Sequence, residues 1–286
     1  MTPQTLDTGT PDLLATLDAG VLTLTMNRPE ARNAMSAAMN LALQQQLAAA
    51  ELNPAVKCVV LTGAGKGFCA GGDVKGMAAR NDKPGDKPAD GTVSTVPAMT
   101  IDEAIARQRL NQRATAGKLF KMAKPTIAAL PGAAAGAGLA LALACDLRVM
   151  ASTAIMTTAF ARVGFSGDYG GTYFMTQLVG SAKARELYFL SDRVSADEAL
   201  RLGLTNWVCP PDELAAKTRE VALRLANGPT VAYRYMKENL NRAMAGEVDY
   251  CLDLEATHHI HCGQTEDHRE ATKAFVDKRE PVFKGR

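Results

Sequence analysis

Histidine is scarce in this 286-residue chain: there are four, and the first is His258. Gathered at the C-terminal end, they are expected at the surface or at an interface rather than as catalytic bases. Net charge is scarce too. Lys and Arg total 32 against 30 Asp and Glu, and no basic run is interleaved with aromatics, so a nucleic-acid partner is not expected. Long apolar runs are missing: the longest, near 133–144, is too short and too rich in Gly and Ala to span a bilayer, so no membrane partner is expected. The opening MTPQTLDTGTPDLL lacks a basic segment followed by an apolar one, so no secretory leader is expected. Six cysteines (Cys58, Cys69, Cys145, Cys209, Cys251, Cys262) form no CxxC pair and no His/Cys cluster with metal-ligand spacing. They read as reduced, buried thiols of a cytoplasmic protein that holds no metal.

What is present is an ordinary globular balance, 47% apolar and 22% charged, in a length that suits one domain with an appendage or two small ones. An apolar, β-compatible run from Thr126 to Leu130 closes on Pro131-Gly132. The next segment, Gly132 to Gly138, carries no side chain larger than a methyl, and Leu139 to Ala144 reads as a wholly apolar helix. A small-residue turn feeding a helix N-terminus lets backbone N–H groups approach a ligand, with the positive end of the helix dipole behind them. A second Gly/Ala-rich segment, Gly63 to Asp73, follows the buried-strand pattern Cys58 to Leu61. Either segment alone is explained equally well by close helix–sheet packing. Together they could hold one carbonyl oxygen from both sides.

Elsewhere, residues 1–12 read as a loose polar arm. Leu14–Leu17 and Val21–Met26 alternate around Asp18-Ala-Gly20, which predicts a hairpin, and Ser36 is placed to cap a helix to about Ala50. The segment 78–104 is rich in Pro, Gly, Asp and Lys and reads either as a lid or as a solvated insertion. Helical spacing continues from Ile101 to Met122 and ends before Lys124-Pro125. Gly170-Gly171-Thr172 opens a helix through Leu178, and Ser181 starts another to Leu190. A short helix from Ser195 to Leu202 should carry a capping box through Glu198. Asn206–Cys209 reads as a last strand, and Pro210-Pro211 divides a core, 1–210, from an amphipathic helical region, 211–286.

The motifs GFCAGGDVKGM and KPTIAALPGAAAGAGLALALACD resemble the crotonase (enoyl-CoA hydratase/isomerase) superfamily, and the resemblance runs from about Leu14 to the end. It implies an α/β fold, a spiral of ββα turns with a C-terminal α-helical trimerisation region, hence a homotrimer or hexamer. It also implies an acyl-CoA thioester as substrate, with no further cofactor because coenzyme A belongs to the substrate. The oxyanion donors would be the backbone N–H groups of Gly72 and Ala137. Contacts to substrate would come from Arg32, Ala70, Asp73, Val74, Lys75 and Lys278, with Phe160, Phe165 and Tyr169 around the acyl group. For Arg32, an exposed structural arginine is an equal alternative.

Hydration needs two carboxylates around a water. The positions where hydratases of this family carry glutamates are here Ala140 and Phe160, and neither can move a proton. Asp168, in VGFSGDYGGT, is the ionisable group left beside Tyr169. AFARVGFSGDYGGTY resembles the epoxyphenylacetyl-CoA isomerase subgroup, where the aspartate shuttles a proton between carbons. Enolate formation lets one carboxylate suffice for such a transfer, so isomerisation of an enoyl or ring-epoxide thioester fits best. Competing readings are a hydratase using Asp168 alone, a chlorobenzoyl-CoA dehalogenase-like hydrolase with Asp168 as nucleophile, and a non-catalytic acyl-CoA- or RNA-binding relative. Read without the family, a turn residue or helix N-cap is the better account of Asp168.

Overall fold

Buried apolar runs build the main sheet. In this computed structural model, which describes residues 2–72, 99–246 and 248–286, seven strands hydrogen-bond in a row. They are β1 (Gln4–Leu6), β2 (Leu13–Asp18), β3 (Val21–Met26), β4 (Cys58–Gly63), β6 (Thr126–Leu130), β8 (Leu147–Ala151) and β11 (Trp207–Cys209). The first three are antiparallel, and from β3 onward every pair is parallel. Every residue of β6 is buried, as expected of a parallel strand covered on both faces. The predicted hairpin is present. The supposedly loose arm is not wholly so, because β1 pairs with the hairpin edge, Thr5 opposite Thr16.

A second sheet grows from the first. Three of the long strands run directly into a short one: β4 into β5 (Gly67–Cys69), β6 into β7 (Ala133–Ala135), and β8 into β9 (Ile155–Thr157). The order β10 (Val194–Ser195), β9, β7, β5 closes a four-stranded sheet. Each turn of the chain thus lays one strand in each sheet before its helix, which is the ββα spiral. The corner at Pro131-Gly132 is tight enough that a Cβ on Gly132 would stand 1.9 Å from the Lys66 carbonyl oxygen.

Helix α1 (Ala37–Leu52) is capped by Ser36, whose Oγ accepts from the Met39 N–H at 3.0 Å. The single helix expected over 101–122 is two, α2 (Ile101–Ala114) and α3 (Ala116–Lys121). Thr115 breaks it at φ −115°, ψ −89°, and its hydroxyl donates to the Asn111 carbonyl at 2.7 Å, the local competition that bends helices at Thr. Helix α4 (Ala137–Ala144) is buried at all eight residues and packs against α5 (Gly171–Leu190). A left-handed Gly180 (φ 76°) divides α5 where two helices were expected. Helix α6 (Ala196–Arg201) is capped by Ser195, while the Glu198 carboxylate pairs with Arg201 rather than closing a capping box.

Helix α7 (Leu214–Ala226) lies on β4, β6 and β8 of the main sheet. Beyond it come α8 (Thr230–Ala243), α9 (Val248–Gly263) and α10 (Glu266–Val276). Lys237 of α8 is buried and ties this region to the core. Its Nζ donates to the Asp146 carboxylate (2.8 Å) and to the Leu119 carbonyl (2.9 Å), while Asp146 also accepts from the Thr126 N–H. The histidines are not all at the surface: His258 is buried, stacked on Tyr235 at 4.2 Å and hydrogen-bonded to Asn239. No described helix is long and apolar enough to cross a membrane.

Candidate active site

The two small-residue segments meet. Gly71 is left-handed (φ 87°), and a Cβ there would stand 2.8 Å from the Ala135 carbonyl oxygen and 3.3 Å from the Ala137 nitrogen. A Cβ on Gly138 would stand 2.4 Å from the Cys69 carbonyl oxygen. Only bare backbone lets the end of β5 lie this close to the start of α4. Gly72 continues past that contact and bridges Met35 in parallel register. The Ala137 N–H belongs to the first helical turn, which has no intrahelical acceptor. Neither it nor the Gly72 N–H donates to any described residue.

Both residues line a cavity of about 600 Å³, whose wall also holds Asn40 of α1, Gln108 and Asn111 of α2, and Phe160, Phe165, Asp168 and Tyr169. Asp168 is the single carboxylate among the described lining residues. It ends the loop before α5, in a backbone with Gly167, Tyr169 and Gly170 all at positive φ. Tyr169 is a strained position for a side-chain-bearing residue, and two helices hold it there. Its N–H donates to Gln112 Oε1 of α2, and its hydroxyl accepts from Asn40 Nδ2 of α1 at 3.1 Å. The Asp168 side chain does not cap α5. Gly170 is the N-cap residue, without a side-chain cap, and the Asp168 backbone carbonyl accepts from the Gly171 N–H at 3.0 Å. One carboxylate oxygen of Asp168 is buried with no hydrogen-bond partner among the described residues. Burial pushes its pKa up to about 6.

Ala140 is buried in α4 and presents only a methyl. Phe160 stacks on Tyr188 of α5, ring centroids 5.8 Å apart and planes 16° apart. The Tyr188 hydroxyl and Ala140 both border Gly171: a methyl built there would stand 2.7 Å from that hydroxyl and 3.1 Å from the Ala140 Cβ. Burial and the nearby Asp168 carboxylate raise the Tyr188 phenol above its ordinary value. A polar group therefore shares the surroundings of Gly171 with Ala140, and sequence reading missed it.

Of the expected substrate contacts, Phe160, Phe165 and Tyr169 are in the cavity wall with Gly72, Ala137 and Asp168. Arg32 is exposed and left-handed, outside that wall, and its carbonyl accepts from the Ala70 N–H at 3.0 Å. Ala70 is half-buried, also outside the wall. Lys278 is exposed, just beyond α10. Asp73, Val74 and Lys75, and most of the 78–104 segment, lie outside the described residues. Asn40, Gln108, Asn111 and Gln112 were also missed, although the last three fall on one helix face by spacing. Among the described residues, no group of three His, Cys, Asp or Glu could hold a metal ion. Cys58, Cys69 and Cys145 are buried free thiols, their pKa values pushed up to about 12 by burial.

Known proteins are similar to this chain over nearly their whole length. The 1,2-epoxyphenylacetyl-CoA isomerase of Escherichia coli is 35% identical over 274 residues, 96% of this chain and 98% of that one. The short-chain-enoyl-CoA hydratase of Clostridium acetobutylicum is 33% identical, covering 91% of this chain and 92% of its own. The crystal structure of an enoyl-CoA hydratase from Polaromonas sp. JS666 superposes with a TM-score of 0.84 at 31% identity, over 95% of this chain and 99% of that one. The family model described as enoyl-CoA hydratase/isomerase matches residues 16–286. With both glycine-cornered loops and the two-sheet spiral inside that match, the chain belongs to the enoyl-CoA hydratase/isomerase family, the crotonase superfamily.

Proposed function

We propose that this enzyme isomerises an acyl-coenzyme A thioester, either a β,γ-unsaturated one or a ring epoxide, by proton transfer through Asp168. The observation that carries the reading is the lone carboxylate: buried, partly unpaired, with a raised pKa, in one cavity with two backbone N–H groups that have no described acceptor. The thioester oxygen would sit between the Gly72 and Ala137 N–H groups. Asp168 takes the α-proton, and the freed electron pair moves into the thioester enolate, whose charge those N–H groups stabilise. The same carboxyl then returns the proton to the far end of the allylic system. Nothing is added or lost, so one acid/base group suffices. Arg32, Ala70, Asp73, Val74, Lys75 and Lys278 are assigned to the coenzyme A portion.

Hydration is the second reading, favoured by the hydratase names among the relatives. It has to place and activate a water with Asp168 alone, because Ala140 and Phe160 stand where the paired glutamates would be. Dehalogenation has less support: no histidine or tryptophan is among the described lining residues.

Asp168→Asn preserves size and hydrogen-bonding shape but cannot accept the proton. The variant is expected to fold, to bind acyl-CoA as wild type does, and to lose turnover by roughly two to four orders of magnitude. Products separated by chromatography distinguish an isomer from a hydrated thioester. Turnover within a few-fold of wild type would remove Asp168 from the chemistry.

A further inference from the structure

Beside the apolar Met35, Phe160 and Phe165, the wall of the Asp168 cavity carries neutral hydrogen-bonding side chains that the reaction just proposed does not use. Gln108 and Asn111 come from α2, Asn40 and Ser36 from the start of α1, and Tyr169 from the loop before α5. Their internal bonds leave specific groups free. Asn111 Oδ1 accepts from Gln44 Nε2 at 3.2 Å, so its Nδ2 remains a donor. The Tyr169 oxygen accepts from Asn40, so its O–H remains a donor. The Gln108 carboxamide bonds to no described residue. Among the described lining residues there is no Lys or Arg.

A plain alkyl chain lying on this wall would strip water from these amide and phenol groups and return no hydrogen bond, which costs free energy at each. A carboxylate-ended chain would share the cavity with Asp168 and meet no cation among the described lining residues. The group that fits is an uncharged oxygen. Resting on the acyl-thioester reading above, we infer that the acyl group carries a neutral oxygen substituent, a hydroxyl, keto or epoxide, held by Gln108, Asn111 and Tyr169. A site built to hydrogen-bond an oxygen rejects the analogue lacking it far more strongly than an apolar slot rejects an extra methylene.

The test uses the full-length protein and 3-enoyl-CoA thioesters of stepped chain length, each made with a terminal methyl, hydroxyl or carboxylate. Calorimetry gives Kd, and product chromatography gives turnover. At the length that reaches the wall, the hydroxyl thioester is expected to bind about ten- to a hundredfold tighter than its methyl twin, the scale of one or two matched hydrogen bonds. Gln108→Leu and Asn111→Leu, made separately so that one folding failure leaves the other informative, should each shrink that ratio several-fold. Equal Kd values for methyl and hydroxyl at every length, or a preference for the carboxylate, would overturn the inference even if isomerisation is observed. A hydroxyl preference without isomer formation would uphold it and overturn the isomerase reading instead. Failure to bind any thioester would overturn both.

Discussion

At the scale of single residues, the environment of Asp168 sets a pH dependence in two observables. With a pKa of about 6, raised by burial, the carboxylate is the competent base above that pH, so kcat/KM should climb through pH 6 and level off beyond it. A flat profile from pH 5 to 8 would contradict this. Stability should run the other way. A folded-state pKa above the ordinary 3.8 means that folding favours the protonated form, a gain complete below the unfolded value and lost as pH rises through about 6. Asp168→Asn should therefore melt higher than wild type at pH 8, by ~1–2 kcal/mol once partial solvent screening is discounted, with the difference vanishing near pH 4. Melting curves at both pH values check it. Asp168 was legible in the sequence because it is the one carboxylate in a loop of glycines and aromatics. Tyr188 was not, because it lies far along the next helix and only the fold brings its hydroxyl and Ala140 to the same glycine, Gly171. That proximity bears on any attempt to restore a hydratase carboxylate. Ala140→Glu should destabilise by ~2–4 kcal/mol, and with Tyr188→Ala the combined loss should fall short of the sum of the two single losses by at least ~1 kcal/mol because space is cleared; strictly additive losses in a double-mutant cycle would refute that crowding.

At the scale of elements, what fixes the oxyanion geometry is how closely β5 and α4 approach, and two glycines separate that requirement from mere backbone freedom. A methyl on Gly138 would stand 2.4 Å from the Cys69 carbonyl oxygen, a backbone atom with little room to move, whereas one on Gly180 meets nothing within 4 Å. Gly138→Ala should cost about 2–3 kcal/mol and depress kcat by shifting the Gly72 segment. Gly180→Ala should cost only the backbone strain of φ 76°, ψ 164°, a region all but reserved for glycine, about 1–3 kcal/mol, and leave kcat alone. The kcat values of the two variants decide the matter, and an unchanged kcat for Gly138→Ala would mean that the close approach is not what that glycine serves. The long strands and most helices were readable because their apolar runs or periodicities exceed four residues. The second sheet was not: GFC, AAA, IMT and VS are too short to show a period of two, and their pairing partners alone make them strands. The break at Thr115 escaped for a related reason, since helical spacing is the same on both sides of it.

At the scale of the whole molecule, the C-terminal helices leave apolar surface that the single chain does not cover. Ile260 of α9 is 65% exposed, and Phe275 and Val276 at the end of α10 are 86% and 77% exposed. Helix α9 packs chiefly on its neighbours α8 and α10. Monomeric proteins rarely leave large apolar groups clustered in the open, and such surface marks sites of association. The ion pair between buried Lys237 and half-buried Asp146 fixes α8 to the core through Thr126, so an assembly formed through these helices would be rigidly coupled to the strand that leads into the Gly132–Gly138 turn. Self-association through these helices is the expectation from that surface; the trimer or hexamer, and the place of Lys278, exposed just after α10, near bound coenzyme A, are what the family resemblance implies and remain proposals. Light scattering at micromolar concentration should give three or six times the chain mass. Replacing Phe275 and Val276 with Asp should push the population towards smaller species while far-ultraviolet circular dichroism stays helical. A stable wild-type monomer would show that the exposed side chains serve something other than self-assembly. A trimer indifferent to both substitutions would move the contact to α8 and α9.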